Sequence, residues 1–274
     1  MESIGNERAP VAIGGVGGSG TRVVAEWLGN LGVHTGADLN DALDTLCFTL
    51  LFKREEAPDC PEDDLDVLIG AFVAGLTQGA PMSPTAESLV RSLALEDRPQ
   101  HPARWLQARA DSLIEASRRP AHGRSWGWKE PNTHIIIERL WQRLPDLRYI
   151  HVVRNGIQMA TSSNQNQLRL WGSRVLGEHG PATPRRSLAY WCRIHRHLQD
   201  LLARNPHRML WLDFDRLCRD PEASAAQLGR FLGYRPDNVM AAIPSIKPPA
   251  RRESCAADFD SSDLAYVASL GYAI

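Results

Sequence analysis

The sequence predicts an α/β fold in which a parallel sheet is flanked by helices and carries a helical insert. Three observations predict it. The apolar run Pro10-Val-Ala-Ile13 breaks into Gly14-Gly-Val-Gly-Gly-Ser-Gly20, and Val24, Trp27, Leu28 and Leu31 follow at helical spacing. The run Leu147–Val153 is mostly apolar and β-branched, as a strand buried on both faces requires. Between these two, residues 37–120 keep helical periods broken by prolines.

The elements follow in order. Leu39, Leu43, Leu46, Leu50 and Leu51 predict a helix at the start of the insert. A second helix starts at Leu65–Ile69 and a third covers 104–117, with Pro81, Pro84, Pro99 and Pro102 between them. Trp126–Lys129 reads as a short strand that stops before Glu130-Pro131. Asn132 reads as the N-cap of a helix over 133–144, closed by Pro145. After the strand at 147–153, residues 157–170 predict a helix, and Thr183-Pro184 opens a long one through Leu202. Arg208–Leu212 reads as a strand, and Pro221–Leu232 as a helix stopped by Gly233. A polar tail over 243–262 leads to a last helix within 263–272. There is no internal repeat, and 274 residues suit a single domain, 1–274.

Composition narrows the function. Hydrophobic residues at 43% and charged residues at 23% exclude a disordered or fibrous chain. The formal net charge of −1 argues against a basic sheath for nucleic acid and leaves a local basic cleft open. Lys occurs only at positions 53, 129 and 247, so each one merits inspection. Five cysteines without a C-x-x-C fit neither a disulfide framework nor a thiolate zinc site. His195 and His197, two apart on a helix, face different directions, so no metal is expected. No signal peptide opens the chain and no apolar run reaches about 18 residues, so a cytoplasmic protein without a membrane span is expected. Oligomeric state stays open.

A glycine-rich turn between strand and helix frees backbone N–H groups for a phosphate, and the helix N-terminus adds partial positive charge. Gly15-Val-Gly17-Gly-Ser-Gly20 fits G-x-G-x-x-G, but the acidic residue wanted about 20 positions on would be Asp38 or Asp41, outside a second strand. A kinase-type P-loop starting at Gly15 would put its Lys on Thr21 and its Ser/Thr on Arg22.

A third reading takes Gly17-Gly18-Ser19-Gly20-Thr21-Arg22 as one block. It resembles the phosphosulfate loop of sulfotransferases that use 3′-phosphoadenosine-5′-phosphosulfate (PAPS): a short strand, then [KR]-[SG]-G-[ST]-[TSR], then a helix. A second block supports it. The strand Leu147–Val153 ends in Arg154, and Ser162 stands eight residues on, where the resemblance implies a pair holding the 3′-phosphate. Arg offers a forked pair of donors there and Ser a neutral one. Leu212–Pro221 and Phe231-Leu-Gly233 also resemble a late strand, turn and helix end of that family. The resemblance covers about a third of the chain and leaves the insert uncovered.

The resemblance implies a P-loop-like sulfotransferase architecture with an insert at about 37–120. It implies sulfuryl transfer from PAPS to a hydroxyl or amine of a small-molecule or glycan acceptor, without a metal. Gly17, Gly18, Ser19, Gly20, Thr21 and Arg22 would hold the 5′ end, and Arg154 and Ser162 the 3′-phosphate. A late basic loop, here Arg251 and Arg252, would return over that phosphate. Gly18 stands where the family usually carries Lys or Arg, and Lys129, ending its strand, would steady the transferring group. The general base by resemblance is a carboxylate among Asp38, Asp41 and Asp44, with Glu130 and His134 as local alternatives. Asp41 and Asp44, three apart, would share a helix face. The acidic Glu55-Glu56 and Glu62-Asp63-Asp64 would disfavour a polyanionic acceptor if they lined its pocket. A P-loop kinase or NTPase, or a nucleotide-binding module without turnover, are the alternatives.

Overall fold

The computed structural model describes residues 9–246 and 258–274. Among them, four strands form one parallel sheet in the order β2-β1-β3-β4: β1 (Val11–Gly15), β2 (Gly127–Lys129), β3 (Arg148–Val153) and β4 (Met209–Asp213). The chain steps from β1 to β2 on one side, then to β3 on the other. The topological switch point therefore lies between β1 and β3, where open α/β sheets place their ligands.

The helices are α1 (Thr21–Asn30), α2 (Leu46–Phe52), α3 (Glu62–Thr77), α4 (Pro84–Leu93), α5 (Ala103–Arg118) and α6 (Ile137–Arg143). After β3 come α7 (Gly156–Ala160), α8 (Asn166–Leu176), α9 (Pro184–Arg204), α10 (Phe214–Arg219), α11 (Pro221–Leu232), α12 (Pro236–Ala241) and α13 (Ser261–Ser269). Side chains alternate across the sheet, as a period of two demands. Val11, Ile13, Ile150, Val152, Leu210 and Leu212 pack one face against α1 and α11. Ala12, Trp128 and Tyr149 pack the other against the insert helices and α9. Among the described residues no helix is long and apolar enough to cross a membrane.

Three local expectations are corrected. The leucine period at 39–51 yields a helix only from Leu46 onward, because Asn40 turns the chain first. Its side-chain oxygen accepts the Ala42 and Asp44 N–H groups, both at 2.9 Å, and Leu43 takes a positive φ of 62°. Asp41 and Asp44 thus share no helix face. Residues 34–45 instead run along the outer edge of β2: His34 pairs with Ser125 and Gly127, and Thr45 N–H donates to the Lys129 carbonyl at 2.8 Å. This segment covers an edge that would otherwise expose unpaired backbone groups. At 130–135 the cap is Glu130, whose carboxylate accepts the Asn132 N–H and opens a 3₁₀ turn, and α6 starts only at Ile137. The helix expected over 157–170 is two helices, α7 and α8. Gln165 separates them by donating to the carbonyls of Met159, Ala160 and Ser162.

Behind the sheet, β3 and α9 share a polar chain inside the core. The Trp191 carbonyl can only accept, so His195 Nδ1 carries a proton toward it at 2.7 Å. His195 Nε2 then accepts from His151 Nε2 at 3.1 Å, and His151 Nδ1 accepts from the Tyr149 hydroxyl at 2.8 Å. The hydroxyl has room because residue 14 is Gly, where a Cβ would lie 2.6 Å away. Burial holds both imidazoles neutral: His195 is pushed down to about 3 and His151 well below its usual range. Burial lowers His134 to about 4 and His101 to about 4, and it lowers His34 as well.

The sign of the pH dependence follows. Below about pH 6.5 the unfolded chain binds protons at these five histidines that the folded chain refuses, so stability falls as pH drops toward 4. Glu130 and Asp38, both raised by burial, act in the opposite sense but are two against five. Thermal unfolding between pH 7 and 4.5 should show a steep fall in Tm. A flat profile would contradict the neutral chain.

Candidate functional site

The C-terminal ends of the strands place one feature each along a single rim: Lys129 on β2, the glycine loop after β1, Arg154 after β3 and Asp213 on β4. Lys129 and Arg154 thus flank the loop, each about one strand spacing, or 5 Å, to its side.

Close approach and handedness shape the loop. A Cβ on Gly15 would lie 2.5 Å from Ser19 Oγ and 2.6 Å from the Val152 carbonyl. Gly18 and Gly20 have φ of 92° and 95°, the left-handed region that favours glycine. Gly20 also lies under Phe214, whose ring would meet a Cβ at 2.3 Å. Gly20 is the N-cap of α1 and offers no side chain to the first helical N–H groups. Those donors, with the helix dipole, face outward from the loop. Ser19 Oγ is buried and, among the described residues, has no hydrogen-bond partner. Thr21 is buried at the start of α1, and Arg22 is exposed on its first turn.

Arg154 is held over this loop. Its Nη1 donates to the Gly18 carbonyl at 3.3 Å and its Nη2 to Gln158 Oε1 at 2.8 Å, while Nε is buried without a partner. Asn155 caps α7 through Ile157 N–H at 2.9 Å, and its own N–H donates to Asp215 at 3.1 Å. Asn155 therefore fixes the chain on both sides of the arginine's exit from the strand.

Lys129 is nearly fully buried. Its ammonium donates to the Ala42 carbonyl at 2.9 Å and to Asp44. Its backbone bonds Thr45 on both sides, which sets the strand end against the 34–45 segment.

The sequence model described as the Sulfotransferase family matches residues 10–238. The chain belongs to the sulfotransferase family. Two solved structures share its fold. The sulfotransferase domain of the Synechococcus PCC 7002 olefin synthase aligns at 17% identity and a TM-score of 0.53, covering 100% of this chain and 99% of that one. The sulfotransferase domain of the curacin biosynthetic pathway aligns at 14% identity and a TM-score of 0.50, covering 97% and 99%. No curated protein matches the chain in sequence.

The other expected site residues of this sulfotransferase are placed unevenly. Ser162 does not stand on a helix; it lies in the bend after α7, where its Oγ accepts the Asn164 N–H at 3.3 Å. Met159, one turn earlier, reaches toward Gly18. Of the three carboxylates expected near the reacting group, only Asp44 meets Lys129, and Asp41 is exposed. Asp38 lies 2.8 Å from Arg109 of α5 in an ion pair. Glu130 is buried, and both its oxygens receive donors from Asn132, so it acts as a cap. His134 is buried and tied to the Pro131 carbonyl. Arg251 and Arg252 lie outside the described residues.

Sequence reasoning missed Gln167 and Thr45. Gln167 Nε2 donates to the Gly15 carbonyl at 3.0 Å and supports the loop from α8. Its signal was a polar residue four before Trp171, within an apolar stripe. Thr45 had no local signal, since the strand end it meets, Lys129, is 84 residues away.

Replacing Gly20 by Ala should destabilise the fold by about 3 kcal/mol, the sum of a left-handed backbone and an overpacked ring. Chemical denaturation measures this, and a loss below about 1 kcal/mol would place the loop elsewhere.

Proposed function

We propose that this sulfotransferase moves a sulfuryl group from PAPS to a hydroxyl or amine of a small acceptor. The carrying observation is the buried orphan Ser19 Oγ inside a left-handed glycine turn, with Arg154 bonded across that turn to Gly18. These features suit a phosphate bound without a metal. The 17–22 loop holds the donor's 5′ end through N–H groups and Ser19. Arg154 takes the 3′-phosphate with its fork, and Ser162, one helical turn past Met159, adds a neutral donor.

PAPS supplies an activated sulfuryl group; the protein supplies position and charge. Lys129 is the cation nearest the loop on its far side from Arg154, so it substitutes for the positive charge that Gly18 lacks. Turning its ammonium from the Ala42 carbonyl toward the transferring oxygens exchanges one charge-assisted hydrogen bond for another. Asp44 stays within reach and accepts the proton that the acceptor loses. Asp38, held by Arg109, is left to brace the insert. The product beside the sulfated acceptor is adenosine 3′,5′-bisphosphate.

Two measurements test this. Calorimetry without magnesium should show adenosine 3′,5′-bisphosphate binding far more tightly than adenosine 5′-monophosphate. Arg154→Ala should remove about 2 kcal/mol or more of that binding. Equal binding of the two nucleotides would sink the PAPS reading. Asp44→Asn keeps an oxygen for Lys129 and removes the proton acceptor. It should lower kcat by about 10²–10⁴ with bisphosphate affinity retained; an unchanged kcat would assign the base elsewhere. Bisphosphate binding without transfer across a broad acceptor panel would favour a binding module.

A further inference from the structure

A cleft of about 640 Å³ opens between the insert and α8. That is the size of a small-molecule site. Both of its walls belong to elements that also touch the donor side of the sheet. On α8, Gln167 bonds the Gly15 carbonyl, while Arg169 and Ser173, within two turns, line the cleft. On the insert side, Lys53 Nζ lies 3.7 Å from Glu130 Oε1, in the residue that follows Lys129. The cleft is thus bordered by α8, which supports the glycine loop, and by Lys53, which faces the residue after Lys129.

The lining carries both signs, with Glu96 partly buried among the cations and Arg169 exposed as the other acids are. Lys53, Arg54, Arg98 and His101 are partly buried, whereas Glu55, Glu56 and Asp97 are exposed at the mouth. Glu55 and Glu56 do line this cleft, on its exposed side, so the expected repulsion of a polyanion stands while the free cations suit a single anionic group. Glu62 faces α6, where it pairs with Arg139 at 2.7 Å.

Two of the cations are already committed. Arg98 bonds Glu96 and the last carbonyls of α2, Thr49 at 3.1 Å and Leu50 at 3.0 Å. Arg54 donates to the Leu51 carbonyl and pairs with Glu56 at 3.9 Å. The others keep donors in hand. The contact from Lys53 to Glu130 is longer than a hydrogen bond, and burial pushes that carboxyl up, toward its neutral form. Arg169 reaches Asn166 at 3.4 Å and, among the described residues, pairs with no carboxylate. His101 Nε2 is buried without a partner, its ring stacked on Trp105 at 4.7 Å. Lys53, Arg169 and His101 thus present unspent polar groups to one cavity. An anion in the cleft would meet two cations that, among the described residues, hold no carboxylate within hydrogen-bond distance, Lys53 half-buried and Arg169 exposed.

We propose that this cleft holds the acceptor, and that the acceptor carries an anionic group, a carboxylate or a phosphate, gripped by Lys53 and Arg169. The assignment as acceptor rests on the sulfuryl-transfer reading; the anion preference of the cleft does not. Arg169, on α8, takes the anion from the outer side, and Lys53 takes it from the insert. The nucleophilic hydroxyl or amine then points along α8 toward the donor loop. The insert accordingly selects acceptors by charge as well as by shape.

The test is a thermal-shift and calorimetric series with the full chain, run with adenosine 3′,5′-bisphosphate present. The probes are hydroxylated aryl and alkyl carboxylates, each matched with its carboxamide and its phosphate monoester. The acids or the phosphates should bind at least fivefold more tightly than the amides, and whichever of the two leads names the anion. Lys53→Met with Arg169→Met should bring the ratio of charged to neutral probes close to one. Amides that bind as well as both anions, or a ratio untouched by the double substitution, would overturn the proposal. Bisphosphate binding to wild type and double variant, read in the same runs, reports folding of the variant. It also tests the donor site separately: its loss in the wild type strikes the PAPS reading, while anion selection still decides the cleft.

Discussion

The close contact of β1 with β3 at the switch point governs this protein. Gly15 ends β1 against the Val152 carbonyl, and only a residue without a Cβ allows that approach. Because the backbone must then turn at once, the following residues adopt left-handed φ at Gly18 and Gly20. The turn sets the N-terminus of α1 beside the end of β3, so Arg154 emerges beside helix N–H groups and bonds Gly18. One steric constraint on a single pair of strands thus brings three sources of positive potential together: the loop amides, the helix dipole and a guanidinium.

A second constraint comes from the sheet's outer edge. The short strand β2 would be a weak edge if left bare. The chain covers it with residues 34–45, and the covering brings Asp44 to Lys129. An ammonium with 2% exposure is tolerable there because a carboxylate and a carbonyl meet it. The rim is therefore asymmetric. On the Arg154 side the cation is half open and bonds the loop directly, whereas on the Lys129 side it is sealed and neutralised by a partner.

The sheet was legible because its strands announce themselves by composition. Leu147–Val153 is buried on both faces and needs an apolar residue at almost every position. The glycine loop was legible for a steric reason, since few other residues adopt its φ values. Arg154 was found through its spacing to Ser162, although the helix joining them ends at Ala160. That spacing came from the family resemblance, and it survives the break because Gln165 satisfies the carbonyls that α7 leaves open. Leu39 and Leu43 misled because they keep a helical period by coincidence, while Asn40 offers its neighbours a better local bond. The Lys129–Asp44 pair joins residues 85 apart, and no local pattern encodes such a meeting. The cleft behind α8 was invisible for the same reason, since its two walls come from distant segments.

The hydrogen-bonded chain from Tyr149 to the Trp191 carbonyl has a consequence for how α9 sits. Every donor in it points the same way, so no member can reverse without its neighbours. A slip of α9 by one residue would rotate His195 by about 100° and strand polar groups in a dry core. An oily interface tolerates such slips at small cost, but this one does not. The chain acts as a key that admits a single rotational phase of the helix, and with it a single placement of Trp191 under Gly156, where α7 starts.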